Sequence, residues 1–256
     1  MLTLLKRIII DGVKNGSMQK DHRPYFLKKA LAKVQRFYTE HFLRPHFDSL
    51  GKAPMVLRPW FVEVFGAPIV IGDYVFIIAT ADNRVRLSVW SDNPASGQIR
   101  IGDFGLLCPG VRISSASQIR IGDSCMIAGG AYITDCDWHD VYNRIGFGKT
   151  DPIDIADNVW IGDSAIVCKG VSIGENSIVG AGSVVVNSIP ANSIVVGNPA
   201  RVVRHLDPEE VITTRKHWFA RGKSLFSELD QLDREVLRGN TLLGWLRYVF
   251  FPTKGD

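Results

Sequence analysis

Isoleucine or valine recurs at every sixth position from Ile155 through Ile161, Val167, Ile173 and Val179 to Val185. Glycine follows the aliphatic residue at Gly162, Gly174 and Gly180. A period of six fits neither the 3.6-residue turn of an α-helix nor the two-residue alternation of a half-buried strand. It fits a chain that turns a corner once per repeat. Each hexad then supplies one short strand and one bend, and points one aliphatic side chain inward. Glycine suits the bends, where the backbone needs unusual dihedrals or close approach. Three hexads, about 18 residues, close one triangular coil, and stacked coils form a parallel β-helix with a continuous core. A single coil cannot bury its inner face, so its stability comes from neighbouring coils.

The pattern extends upstream. Gln98-Ile99-Arg100-Ile101-Gly102-Asp103 recurs unchanged as Gln118-Ile119-Arg120-Ile121-Gly122-Asp123. Variants stand at Pro68-Ile69-Val70-Ile71-Gly72-Asp73 and Pro152-Ile153-Asp154-Ile155-Ala156-Asp157. The starts are 30, 20 and 34 residues apart. One coil accounts for the middle interval, so the outer two carry extra loop. An ordinary β-sandwich would not repeat a hexapeptide verbatim and then run in unbroken hexads.

The chain divides into three expected segments: a helical N-terminal cap over 1–66, the β-helix over 67–206 and a helical C-terminal extension over 207–256. Apolar residues from Phe26 to Phe42, spaced near three to four, read as an amphipathic helix within Pro24–Phe47. Asp207 and Pro208 suit the first positions of a C-terminal helix, which Gly239-Asn240 would end. The β-helix is interrupted around Thr80–Gly97, which includes Asp92-Asn93-Pro94, and again over Thr134–Asp151. Excursions from a repetitive scaffold are where binding and catalytic groups tend to sit.

Composition narrows the rest. Cys108, Cys125, Cys136 and Cys168 lack CxxC spacing and read as free thiols in a reducing compartment. Met1–Ile10 is apolar but short and broken by Lys6-Arg7, so neither a signal peptide nor a membrane span is expected and the location is read as cytoplasmic. Residues 1–60 hold 12 Lys/Arg against 4 Asp/Glu, a net of +8, whereas 61–206 hold 10 against 14, a net of −4. The basic N-terminus is either a solvated helix face or a docking surface for an anionic partner. No nucleic-acid-binding motif accompanies it. The aromatic segment Leu242–Phe251 packs on the body or on another subunit, or touches a membrane surface peripherally.

Of six histidines, only His139 lies between Pro68 and Val203. It sits in the second interruption beside Asp135, Asp137 and Asp140. A histidine there suits general-base chemistry, with a carboxylate or carbonyl fixing its tautomer. One histidine cannot build a three-histidine zinc site, so no metal is expected.

The segment Trp138–Arg204 resembles the hexapeptide-repeat acyltransferases, close to their galactoside and maltose O-acetyltransferase branch. The histidine loop is followed by Asn158-Val159-Trp160-Ile161-Gly162, Gly170-Val171-Ser172-Ile173-Gly174 and Gly180-Ala181-Gly182-Ser183. Ile189-Pro190 and Gly197-Asn198-Pro199-Ala200-Arg201-Val202-Val203-Arg204 complete the match. The resemblance implies a left-handed β-helix, a homotrimer with sites between subunits, acetyl-CoA as co-substrate and a small-molecule or saccharide acceptor. It also implies roles. His139 matches the general base. Gly162, Asp163 and Ala181 match positions along the cofactor, and Arg201 and Arg204 match residues that reach the CoA phosphates, a task for which the fixed guanidinium fork is suited. Val186-Asn187 replaces a Thr-Lys pair, which makes Asn187 the cofactor-side residue at that position and Lys169 a candidate for the missing cation. Asp137, Asp140 and Tyr142 are acceptor-side candidates, and Phe147 either lines the acceptor pocket or anchors its loop. Trp160 reads as structural. Trp138-His139-Asp140 stands where the branch has a His-Pro pair, and its acceptor-binding asparagine maps near Gly110, so a different acceptor or pose is implied. The same fold also admits N-acylation of an amino sugar, an acyl-carrier donor, or a non-catalytic scaffold.

Overall fold

Each hexad aliphatic from Ile155 to Val185 is buried, with 1% exposure or less. A computed structural model describes residues 20–91, 97–146 and 148–253. Met1–Ile10, Asp92-Asn93-Pro94 and Phe147 lie outside the described residues. The aliphatic side chains point inward from three sheets that the chain visits in rotation, the expected left-handed parallel β-helix. The first face has six strands, from Ser49–Leu50 to Ser172–Ile173. The second has eight, from Met55–Leu57 to Ala200–His205, and the third has six, from Val62–Phe65 to Val184–Val185. Successive coils pair in parallel, and the stack closes on an antiparallel hairpin of Ser193–Gly197 with Ala200–His205.

The repeated hexapeptides stack directly on one another in the first face. Ile69, Ile99, Ile119 and Ile153 are successive partners, as are Ile71, Ile101, Ile121 and Ile155. The unequal intervals are therefore single steps between coils. Much of the excess falls between third-face strands ending at Val89 and Thr134 and first-face strands starting at Ile99 and Ile153. The interruption drawn at Thr80–Gly97 is thus too broad, because Val85–Val89 within it is a strand of the third face. Its alternation of Val85, Leu87 and Val89 inward is a two-residue pattern, not a hexad.

The recurring Gly-Asp pair has a stacking role. Asp73 N–H donates to Asp103 Oδ1 (2.7 Å), Asp103 N–H to Asp123 Oδ1 (2.8 Å) and Asp123 N–H to Asp157 Oδ1 (2.8 Å). Each carboxylate enters the space beside the preceding coil's glycine. A Cβ on Gly72, Gly102 or Gly122 would fall onto that carboxylate. Ala156, which carries a Cβ, ends the series. Beyond it the coils are joined by asparagines: Asn158 Nδ2 donates to Asn176 Oδ1 and Asn176 Nδ2 to Asn192 Oδ1. All three have φ between +56° and +60°, a region asparagine tolerates better than most residues.

The boundaries drawn at 66/67 and 206/207 do not coincide with the compact units, which among the described residues are 35–220 and the pair 20–34 with 221–253. In the larger unit the coil begins at Ser49, not at 67. Leu50, Val56 and Val62 already carry the six-residue spacing and are buried. Leu43 and Phe47 cover the core at that end. They follow helix α1 (Tyr25–Tyr38), which gives way to a π-turn at Thr39–Leu43 and a 3-10 turn at Arg44–His46.

In the smaller unit, the N- and C-terminal segments pair rather than standing apart. Its helix α3 (Lys223–Val236) precedes α4 (Leu242–Phe250), whereas α2 (Arg215–Phe219) belongs to the larger unit. Tyr25 Oη and Lys29 Nζ both donate to Asp230, each at 2.7 Å, and Lys28 Nζ lies 2.6 Å from Asp233. These donors, Lys29 foremost, hold the Asp230 carboxyl well below the usual carboxylate range. The helix expected to start at Asp207 does not form. Asp207 Oδ1 accepts the Glu209 amide in an isolated turn, and Val211 beyond it has no buried face. No helix of the described residues is long and apolar enough to cross a membrane.

Candidate active site

The loop that carries His139 leaves from the third-to-first edge on a short two-strand stem. Cys136 bridges antiparallel to Thr150, Asp137 N–H donates to Lys149 O (2.9 Å), and Gly148 N–H returns to Asp137 O (2.8 Å). Three further contacts tie this stem to successive coils. Asp135, fully buried, accepts from Ser115 Oγ (2.7 Å) and from the Ala116 and Ser117 amides (2.7 and 3.0 Å) in the preceding coil. Trp138 Nε1 donates to Tyr132 Oη (3.0 Å) in the loop's own coil. Asp137 pairs with Lys169 Nζ (2.6 Å) in the following coil. A carboxylate buried as Asp135 is would be costly without such donors.

His139 is on this braced stem and lines a depression of about 410 Å³ with Trp90, Ser114, Trp138, Ile145 and Gly146. Asp140 serves the loop's geometry: its Oδ1 accepts the Tyr142 and Asn143 amides (2.9 and 2.8 Å). Those amides, Asn143 foremost, hold its carboxyl below the usual range. Tyr142 is 96% exposed and does not line the depression, and Asp137 is engaged with Lys169. Burial pushes the Cys136 thiol up to about 11 and the Cys125 thiol to about 12, so both stay protonated at neutral pH.

Three of the predicted cofactor-side residues, Gly162, Asp163 and Ala181, gather elsewhere. Gly162 and Asp163 form the corner between the second and third faces, and Ala181 sits at the same corner one coil on. The coils approach closely there: a Cβ on Gly162 would lie 2.6 Å from the Ala181 nitrogen. Asp163 and Ala181 are exposed, and Asp163 O accepts the Gly182 amide. Gly110 lies on this edge as well. Asn187 is exposed just after the last strand of the third face, on the edge that carries His139 and not with Gly162 and Ala181.

Arg201 and Arg204 belong to the closing hairpin. They are three residues apart and would normally face opposite ways. A register shift between Ile194 and Val195 leaves Arg201 opposite Val196 and Arg204 opposite Ile194. Ile194 and Val196 flank the buried Val195 and point away from the core, so both arginines lie on the outward side of the second face. Both are exposed. Trp160 lies on the outward side of that face too, between Met126 and Ile178.

The described chain thus brings together His139 with Trp138, and separately Gly162 and Asp163 with Ala181. It does not bring these two groups to one place, because the third face lies between their edges. Trp90, Ser114 and Tyr132 were not singled out by sequence reasoning. Trp90 and Trp138 were findable only as tryptophans in two period-breaking segments, and Ser114 and Tyr132 carried no signal.

Residues 152–187 match the family described as bacterial transferase hexapeptide (six repeats). A Staphylococcus aureus protein provisionally named an acetyltransferase is 53% identical over 64 residues, 25% of this chain and 32% of that protein. The chain spans about a third of the length of the curated relatives it matches first. A mutant of AntD, an N-acyltransferase from Bacillus cereus in complex with dTDP and coenzyme A, has TM-score 0.51 at 20% identity, over 75% of this chain and 96% of that one. A maltose O-acetyltransferase from Clostridium difficile 630 has TM-score 0.43 at 26% identity, over 70% and 86%. Residues 152–187 thus match the bacterial transferase hexapeptide family, and the coil that holds them is a left-handed β-helix.

Proposed function

We propose that the chain is an acetyl-CoA-dependent O-acetyltransferase whose acceptor is a saccharide or another small hydroxylated molecule. His139 takes the proton of the acceptor hydroxyl as its oxygen attacks the thioester carbonyl. The tetrahedral intermediate collapses with loss of the CoA thiolate, which recovers the proton from His139. Backbone N–H groups near the Gly162–Ala181 corner stabilise the oxyanion, and preorganised donors of this kind supply a large electrostatic share of catalysis. Arg201 and Arg204 hold the CoA phosphates.

One observation carries the reading. The base and the donor-side corner occupy two edges of the same prism, on either side of the third face. A second copy docked on the first would join one chain's His139 edge to its neighbour's Gly162–Ala181 edge, and a closed three-fold ring would satisfy every edge. We therefore propose a homotrimer with three shared sites, as symmetric oligomers favour closure. In that assembly the neighbour or the acceptor supplies the group that orients the His139 ring.

The test is CoA release from acetyl-CoA with a panel of hydroxylated acceptors, for native protein and His139→Ala. Loss of a general base lowers turnover by about 10²–10⁴-fold. Undiminished turnover in the variant removes His139 from this role.

A further inference from the structure

The coil brings the two period-breaking segments to one place. Trp90 follows the third-face strand Val85–Val89, and Trp138 lies in the loop after Tyr132–Thr134, two strands along the same face. Their rings meet edge to face, with centroids 6.4 Å apart and planes at 74°. Phe65, at the end of Val62–Phe65, also lies against Trp90, with centroids 4.5 Å apart. Trp138 is fixed by Tyr132, whereas Trp90 remains 50% exposed. Both tryptophans line the depression that holds His139, and its described lining contains no Asp, Glu, Lys or Arg.

A half-exposed indole held by two aromatic rings presents a rigid π-face beside the base. Such a face attracts the weakly positive C–H edge of a ring or chain. It offers nothing to an anionic group, and an unpaired charge brought against an apolar lining is disfavoured. Ser114 adds a hydroxyl to the lining for a polar substituent.

We propose that Trp90 is a specificity-determining residue: it forms the platform on which a neutral, polyhydroxylated ring stacks with its reacting hydroxyl toward His139. The platform selects against acceptors that carry a phosphate or carboxylate on the stacked ring. This inference rests on His139 marking the acceptor site, and it concerns which acceptor is chosen rather than the acetyl donor.

The experiment compares neutral methyl pyranosides with their 6-phosphate and 6-carboxylate counterparts, in the full-length chain and in Trp90→Ala, Trp90→Phe and His139→Ala. Binding is read by tryptophan fluorescence and transfer by CoA release. Trp90→Ala is expected to raise KM for the neutral acceptors roughly 3- to 10-fold, with kcat nearly unchanged and melting temperature close to native. Trp90→Phe recovers most of the loss, and the anionic counterparts are the poorer ligands. His139→Ala keeps the saturable fluorescence change while losing turnover. Equal KM in Trp90→Ala and native protein overturns the platform, as does equal preference for anionic acceptors or a panel that produces no saturable change. Full turnover in His139→Ala strikes the catalytic reading alone, and the binding data then decide on Trp90 independently.

Discussion

Two edges of the same prism are built in opposite ways. From Leu107 onward the edge between the second and third faces keeps strict hexad timing, with Gly162, Asp163 and Ala181 held where successive backbones approach within van der Waals range. The edge between the third and first faces abandons the period, and side-chain contacts hold it: Asp135 to the coil before, Trp138 to its own and Lys169 to the coil after. On the proposed function, a donor with one chemical form suits a corner made of backbone. An acceptor that differs between enzymes suits a loop whose side chains can change without disturbing the stack.

This contrast breaks most sharply by mixing defects. His139→Ala alone should lower turnover about 10²–10⁴-fold. A protein altered at both Arg201 and Arg204, on the second face, should fail to hold the donor. Unfolded together and co-refolded as an equal mixture, the two inactive proteins should regain roughly a quarter of native activity, because each mixed trimer restores one of its three sites. Failure to regain any activity, with mixed trimers present by native mass spectrometry, would put base and donor on one chain.

The donor edge can be tested alone. Arg204→Ala is expected to weaken CoA roughly 10- to 100-fold by calorimetry, the scale of one charge-assisted contact. The loss should shrink for a CoA analogue lacking the 3′-phosphate if Arg204 meets that group. The coil itself is tested at Gly122→Ala. Crowding the Asp157 carboxylate should cost about 1–3 kcal/mol, or roughly 3–10 °C of melting temperature. Asp157→Ala in the same chain should recover part of that cost, since the two residues share one contact. The smallest effect is expected at Lys169→Ala. Its pair with Asp137 is partly exposed, so stability should change by about 1 kcal/mol or less. Turnover should fall a few-fold as the loop loosens, and Lys169→Arg should restore it.

The hexads were legible because each carries one buried aliphatic residue and the stack repeats it without change. Even the separated hexapeptides at 68, 98, 118 and 152 announced a shared face. The first coil was hidden although Leu50, Val56 and Val62 keep the spacing. Pro54, Pro59, Trp60 and Phe61 between them mask the pattern, and the apolar run from Phe26 to Phe42 suggested a longer helix than forms. What joined distant residues could not be read: Tyr25 to Asp230 spans 205 positions, and Asp137 to Lys169 links two loops with no shared motif. The histidine loop was found by its departure from period. Its platform was not, because Trp90 becomes Trp138's neighbour only after the intervening chain has completed its coils.

The aspartate that reaches back beside the previous glycine has an evolutionary reading. Each coil from Gly72-Asp73 to Gly122-Asp123 offers both halves of one joint, a vacancy on one side and a carboxylate on the other. A twenty-residue block such as 99–118 is therefore a portable unit: copied in tandem, it meets itself with a joint already fitted. The verbatim hexapeptides are what such copying would leave behind. The ladder sets a grammar for lengthening the prism, in which whole coils are the only admissible insertions within the stack and everything else must leave at a corner.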